Sequence, residues 1–157
     1  VSVRDQLLAK AVRALLRART SSDRLLVYRD GVDYGELRAD DINARFRELA
    51  ACECSVKDLR TWQATVLAAA ALGSIECPSG HRARKRAVRE VMDEVAAALG
   101  NTLAVARASY VDPRVVTAFE NGTTVAAALR RASRADSADA EREVIDRAVI
   151  RMLRRSR

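Results

Sequence analysis

The chain has 157 residues, a length that suits one domain with a proper hydrophobic core. Its 28 basic residues outnumber 21 acidic ones for a net charge of +7, and all but Lys10, Lys57 and Lys85 are arginines, whose planar forks suit a polyanionic partner without specifying one. No run of about 18 apolar residues is present to span a bilayer, the opening Val1-Ser2-Val3-Arg4 lacks the apolar core of a secretory signal, and three cysteines make no disulfide framework, so a reducing, cytoplasmic setting is expected.

Apolar steps of three and four residues dominate the chain, which predicts a compact, mainly α-helical domain with at most a short vestige of sheet. Leu7, Leu8, Ala11, Val12, Leu15 and Leu16 form the apolar stripe of a first helix whose other face carries Arg4, Lys10, Arg13 and Arg17. Leu25 to Tyr28 reads as a short strand or an extended loop, closed by the turn signal Asp30-Gly31. A second helix follows Asp40 or Asp41 as cap and is expected to bury Ile42, Phe46 and Leu49. Ser55, with Asp58 three residues on, resembles a capping box and starts a long helix that Gly73 ends.

From Arg82 to Leu99 the stripe Val88, Val91, Val95 and Leu99 predicts another amphipathic helix, stopped by Gly100. Asn101 or Thr102 can cap a short helix leading to Tyr110, and Pro113 at a first helical position opens one that Gly122 closes. Thr123 or Thr124, and then Ser137, begin the last two helices. Residues 131–139 are polar enough for a flexible connector, with 140–157 as a terminal basic helix.

Two segments carry chemistry. Lys57-Asp58-Leu59-Arg60-Thr61-Trp62 places Arg60 near the start of a helix, where a guanidinium and the helix terminus can serve one anion; the plainer reading is a surface arginine paired with Asp58 or Glu53. Lys57 shares a helical face with Arg60, as a phosphate contact or a structural support, and Trp62 reads as a brace against the core before it reads as a stacking platform. Fifty positions after Arg60, Ser109-Tyr110-Val111-Asp112-Pro113-Arg114 offers a phenol. A tyrosine oxygen can attack a phosphodiester and hold the broken strand as an ester. Its ordinary pKa near 10 calls for cationic neighbours, and Arg60 and Arg107 qualify. Tyr28 and Tyr34 keep the ordinary reading of amphipathic packing residues.

Together with Gly100-Asn101-Thr102-Leu103-Ala104-Val105-Ala106-Arg107, these segments resemble the carboxy-terminal part of the catalytic domain of type IB DNA topoisomerases, in particular the short bacterial and poxvirus-like members. The resemblance implies the helical DNA breaking-and-rejoining fold, relaxation of double-stranded DNA through a 3′-phosphotyrosyl intermediate, no cofactor, and action as a monomer. Tyr110 falls on the nucleophile, Arg60 on an arginine that contacts the scissile phosphate, and Asn101 on a position held by histidine or asparagine that donates to a phosphate oxygen. Asn101 also reads as a helix cap. Tyrosine recombinases share the ester chemistry but usually carry histidine where this chain has Lys57; a non-catalytic DNA-binding module on the same fold is the other alternative.

The family's five groups also include an earlier arginine and a hairpin lysine acting as general acid. Neither Lys10 nor Lys85 lies in a strand-turn-strand context, and Val1-Ser2-Val3 aligns with the strand that follows that hairpin. The chain is therefore expected to be a piece of a longer enzyme, inactive alone, or a divergent relative. Beyond the motif, Arg82, Arg84, Lys85 and Arg86 form a basic run that meets the DNA backbone or simply faces solvent. Cys52, Cys54, Cys77 and His81 have zinc-ligand chemistry but poor spacing, since the helix between the pairs would be about 27 Å long. No metal is expected.

Overall fold

The computed structural model describes residues 5–18, 20 and 22–155. The expected strand at Val1-Ser2-Val3, the Arg4 of the first helix's basic face and the end of the terminal helix lie outside those residues. Among the described residues the architecture is mainly helical with one two-stranded sheet, as the periodicity predicts. Where length alone pointed to one domain, the chain divides into two compact units, residues 1–56 and 57–157.

The first unit holds α1 (Gln6–Arg17), β1 (Val27–Asp30), β2 (Asp33–Glu36) and α2 (Ala39–Ala50). Asp5 caps α1 by accepting the Leu8 N–H at 2.8 Å. The extended segment begins at Val27, two residues later than expected, and pairs antiparallel with β2 from Val27↔Glu36 to Asp30↔Asp33. That register leaves Gly31 and Val32 as a two-residue loop, and Gly31 at φ +61° supplies the positive torsion that a type II′ hairpin demands at its first position.

Two expectations fail here. Asp41 is not the cap of α2 but its third residue, where its carboxylate accepts the backbone N–H of the capping Arg38 at 2.8 Å. Nor are the apolar stripes buried: Leu7 is 81% exposed, Leu49 71% and Ile42 40%, and Val27 is the one core residue of the unit among the described residues. Period fixes which side of a helix is apolar; it does not supply a surface to cover it.

The second unit is built from α3 (Val56–Ser74), α4 (His81–Leu99), α5 (Leu103–Ser109), α6 (Pro113–Glu120), α7 (Ala126–Ala132) and α8 (Ala138–Arg155). Its core joins Ala68 and Leu72 of α3, Val91 and Met92 of α4, Val115 and Phe119 of α6, Ala128 of α7 and Val149 of α8. The α4 stripe is buried as predicted, with Leu99 at its edge. Gly100 ends α4 at φ +65°, its N–H on the Ala97 carbonyl and the next N–H, of Asn101, on Ala96, which is the Schellman pattern. Gly122 closes α6 the same way, and Ser137 Oγ caps α8 through the Ala140 N–H at 3.2 Å.

Gly73 does not end α3, which runs one residue further. Its missing side chain has another reason: a Cβ there would lie 3.0 Å from Val125 Cγ2 and 3.1 Å from Leu129 Cδ1, so glycine lets α7 approach α3 closely. Residues 131–139 are divided between the end of α7, a turn in which the Arg134 and Ala135 N–H groups bond to Arg131 and Ala132, and the start of α8.

Candidate active site

The first two turns of α3, the α4–α5 corner and the end of α5 converge within the second unit. Arg60, exposed in the second turn of α3, donates from Nη2 to the carbonyl of Leu99, and its Cζ lies 5.2 Å from the centre of the Tyr110 ring. A guanidinium over an aromatic face is attracted by the ring quadrupole. Arg60 thus bridges two segments that lie 39 and 50 positions away in sequence. Trp62 packs against the core, which gives it the brace role. Lys57 is exposed in the first turn, and its carbonyl accepts the Thr61 hydroxyl at 3.0 Å.

Asn101 follows the glycine that ends α4, and its backbone N–H is spent on Ala96. The cap of α5 is Thr102, whose Oγ1 accepts the Val105 N–H at 3.4 Å, so capping does not explain Asn101. Its side-chain Nδ2 is buried and donates to no acceptor among the described residues. An orphaned buried donor costs about 1–3 kcal/mol, and this one sits two residues from the carbonyl that holds Arg60.

Tyr110 terminates α5, with its N–H on the Ala106 carbonyl at 3.1 Å and its ring packed partly against the core. The backbone after it is pinned by Thr65 of α3. That hydroxyl accepts the Asp112 N–H at 3.1 Å and has the carbonyls of Thr61 at 2.8 Å and Tyr110 at 3.3 Å to donate to. At 2% exposure Thr65 is the buried polar residue of the core among the described residues, and sequence reasoning missed its role. The available signal was a hydroxyl on the buried face of an alanine-rich helix, five residues past Arg60. Thr65→Val keeps the shape and removes the hydroxyl, leaving the Asp112 N–H unpaired. It is expected to lower unfolding stability by about 1–3 kcal/mol in urea titrations, with Thr65→Ser retaining most of the stability; equal stability of all three proteins would show that the tie contributes nothing.

A second tie follows the tyrosine. Asp112 caps α6 through the Arg114 N–H at 2.9 Å and forms a forked ion pair with the Arg114 guanidinium, Nη2 to Oδ2 at 2.6 Å, while Nη1 donates to the Leu153 carbonyl of α8 at 3.1 Å. The hydrogen bond from the Arg114 side chain holds the Asp112 carboxyl below the ordinary carboxylate range, against the opposing effect of burial. A depressed folded pKa contributes stability that is present above the ordinary value near 4 and disappears as pH falls through the folded value. Melting temperature is therefore expected to drop below about pH 4 more steeply in the natural chain than in Asp112→Asn, which keeps the cap but cannot titrate. Parallel acid profiles of the two proteins would remove Asp112 from the account.

The basic run does not act as one group. Arg82, Lys85 and Arg86 are exposed on α4, and Arg86 lies 3.7 Å from Glu90. Arg84, assigned to DNA contact from sequence, turns inward instead: its Nε donates to the Pro78 carbonyl at 2.6 Å and its Nη1 to that of Glu120, tying the loop before α4 to the end of α6. A partly buried guanidinium satisfied by two carbonyls is a structural clamp. Arg107, exposed in the last turn of α5, lines one cleft of about 350 Å³ with Lys85 and Arg89. Cys52 and Cys54 are joined by a disulfide, which the odd cysteine count did not anticipate, and the free Cys77 directs Sγ toward the Phe119 carbonyl at 3.7 Å. No group of three or more potential metal ligands occurs among the described residues.

A model of the family described as eukaryotic DNA topoisomerase I, catalytic core, matches residues 2–136. No curated protein matches the chain. The matched span contains Lys57, Arg60, Asn101 and Tyr110, runs through α7 and stops short of α8. No helix among the described residues is long and apolar enough to cross a membrane. The chain belongs to the topoisomerase I catalytic-core family, a family of DNA isomerases.

Proposed function

We propose that this chain is the carboxy-terminal part of a type IB DNA topoisomerase of the short bacterial and poxvirus-like kind, acting as a monomer on double-stranded DNA in the cytoplasm. The observation that carries the reading is the meeting of Arg60 with the Tyr110 ring at 5.2 Å. The Tyr110 oxygen attacks the phosphorus, the phenolic proton passes to solvent, and the bond to the 5′ oxygen breaks as the 3′-phosphotyrosyl ester forms. Arg60 has five N–H donors and uses one on Leu99, so the rest of its fork remains for the non-bridging oxygens where charge develops. Asn101 Nδ2, buried without an acceptor, supplies a neutral donor to the same phosphate. Asparagine cannot relay a proton here as histidine could, which restricts its role to charge stabilisation.

The ester conserves the energy of the broken bond, so rejoining requires neither ATP nor a metal in this chemistry. Lys57, Arg107, Arg82, Lys85 and Arg86 contact the DNA backbone without reading its sequence. The leaving 5′ oxygen needs a proton. The hairpin Val27–Glu36 carries no lysine, and the chain's three lysines lie on α1, α3 and α4, so on the proposed reading none of them is the hairpin general acid that the resemblance implies.

A substrate with sulfur in place of the bridging 5′ oxygen tests this division of labour. A thiol, with a pKa near 8.5, leaves as a thiolate without a general acid. The 157-residue chain should therefore form a detergent-resistant adduct on the sulfur-substituted nicked duplex and little or none on the ordinary one. Equal cleavage of both would place a general acid inside the chain. Failure on both, with DNA still bound, would mean that bypassing the general acid is not enough without the family's first arginine, and the Tyr110 assignment would then rest on the completed enzyme.

A further inference from the structure

Away from Tyr110, a cleft of about 580 Å³ opens between α6, α7 and α8. Arg131 of α7 and Arg151 and Arg155 of α8 line it, with Thr117, Asn121 and Thr124 among its neutral hydrogen-bonding groups, and no carboxylate borders it. Arg151 and Arg155 stand one helical turn apart, where like charges repel. Neither they nor Arg131 belong to any ion pair among the described residues, although Arg147 on the same helix is matched with Glu143. A favourable helix-end dipole explains a basic residue in a last turn, but not Arg151, and not a wall of three arginines without an acid.

We propose that this cleft is a second DNA-binding site, which holds a backbone segment of one or two nucleotides by its phosphates. Guanidinium forks take pairs of phosphate oxygens, and hydroxyl and amide groups take the remaining ones. The volume falls in the range of about 300–1,000 Å³ that accommodates a ligand of nucleotide size, more than a lone phosphate needs. Arg131 and the α6 wall of the cleft lie within the span matched by the family, and Arg151 and Arg155 lie beyond it. The inference rests on the topoisomerase reading for its choice of DNA among polyanions.

The test is the salt dependence of binding of the full chain to a duplex of arbitrary sequence, followed by fluorescence anisotropy. Removing one phosphate-neutralising group lowers the slope of log K against log salt by about 0.9. Arg151→Gln with Arg155→Gln should lower it by about 0.9 to 1.8, whereas Arg142→Gln with Arg154→Gln, on the same helix but outside the cleft, should leave it unchanged. Arg151→Lys with Arg155→Lys should keep the slope and weaken affinity, because charge remains and the fork is gone. An unmoved slope in the cleft pair overturns the proposal, as does an equal decrease in both glutamine pairs, which would mean diffuse charge. So would saturable binding of inorganic phosphate that depends on Arg151 while the DNA slope stays put: the cleft would then be a small-anion site. If the unsubstituted chain bound no DNA at all, the reading of this part of the enzyme as one that holds DNA by itself would fall, a result distinct from every one of these.

Discussion

Tyr110→Phe is expected to abolish the covalent protein–DNA adduct on a nicked suicide duplex while leaving DNA affinity within about two-fold. The substitution is a narrow one in this setting. The ring that packs against the core stays, and so does the aromatic face beneath Arg60 at 5.2 Å, because neither depends on the hydroxyl. The backbone ties that fix the position, from Ala106, Thr65 and Asp112, involve main-chain atoms of the turn and are likewise untouched. Only the nucleophilic oxygen is removed, and without it no ester can form at this position. The measurement is denaturing electrophoresis of an end-labelled duplex, with the enzyme completed by the lysine and first arginine that the family uses. An undiminished adduct from Tyr110→Phe would end the assignment. Disappearance of the adduct together with binding would instead make Tyr110 a packing residue whose removal disturbs the site.

How much of this was legible in the sequence depends on the range over which each feature is set. The buried stripe of α4 and its glycine stop could be read because helical period and terminal chemistry are local. The same local reading gave the apolar sides of α1 and α2 but not their exposure, since cover comes from elsewhere in space. Asp41 was misread by one helical turn because a carboxylate stabilises a helix start equally well from the cap or from the third residue, where it reaches back to the Arg38 N–H. Arg84 looked like its neighbours in the basic run. Only the fold brings the carbonyls of Pro78 and Glu120 to it and turns a surface charge into a clamp.

The site divides along the same line. Tyr110, Arg60 and Asn101 were found through a resemblance carried by short strings of residues; no periodicity could connect positions fifty apart. The structure then supplied what the strings lacked, namely the Leu99 carbonyl that holds Arg60, the orphaned Asn101 Nδ2 and the Thr65 hydroxyl under the Tyr110 turn. Thr65 was invisible because a threonine on an alanine-rich helix reads as a tolerated substitution until its hydrogen-bond partners, 45 and 47 positions away, are known.

Arg60→Ala is expected to separate binding from chemistry more sharply than any other change at the site. In the free chain Arg60 is exposed, donates once to Leu99 and stacks over Tyr110, so its removal should cost no more than about 1 kcal/mol of stability. On the proposed reading DNA is held by many backbone contacts of similar kind, so removing one fork should weaken affinity only a few-fold. Cleavage is different. Negative charge on the phosphate oxygens redistributes as the phenol attacks, and a preorganised donor aimed at it is worth far more there than in the ground state, about 10²–10³ in rate for each donor removed. Arg60→Lys should fall between, since it restores a charge without the fork that can serve Leu99 and the phosphate together. Single-turnover cleavage rates at saturating DNA, set beside dissociation constants from the same preparations, give the comparison. If affinity and rate fell by the same factor, Arg60 would be contributing uniform binding, and the stabilisation of the transition state would have to be sought in other groups.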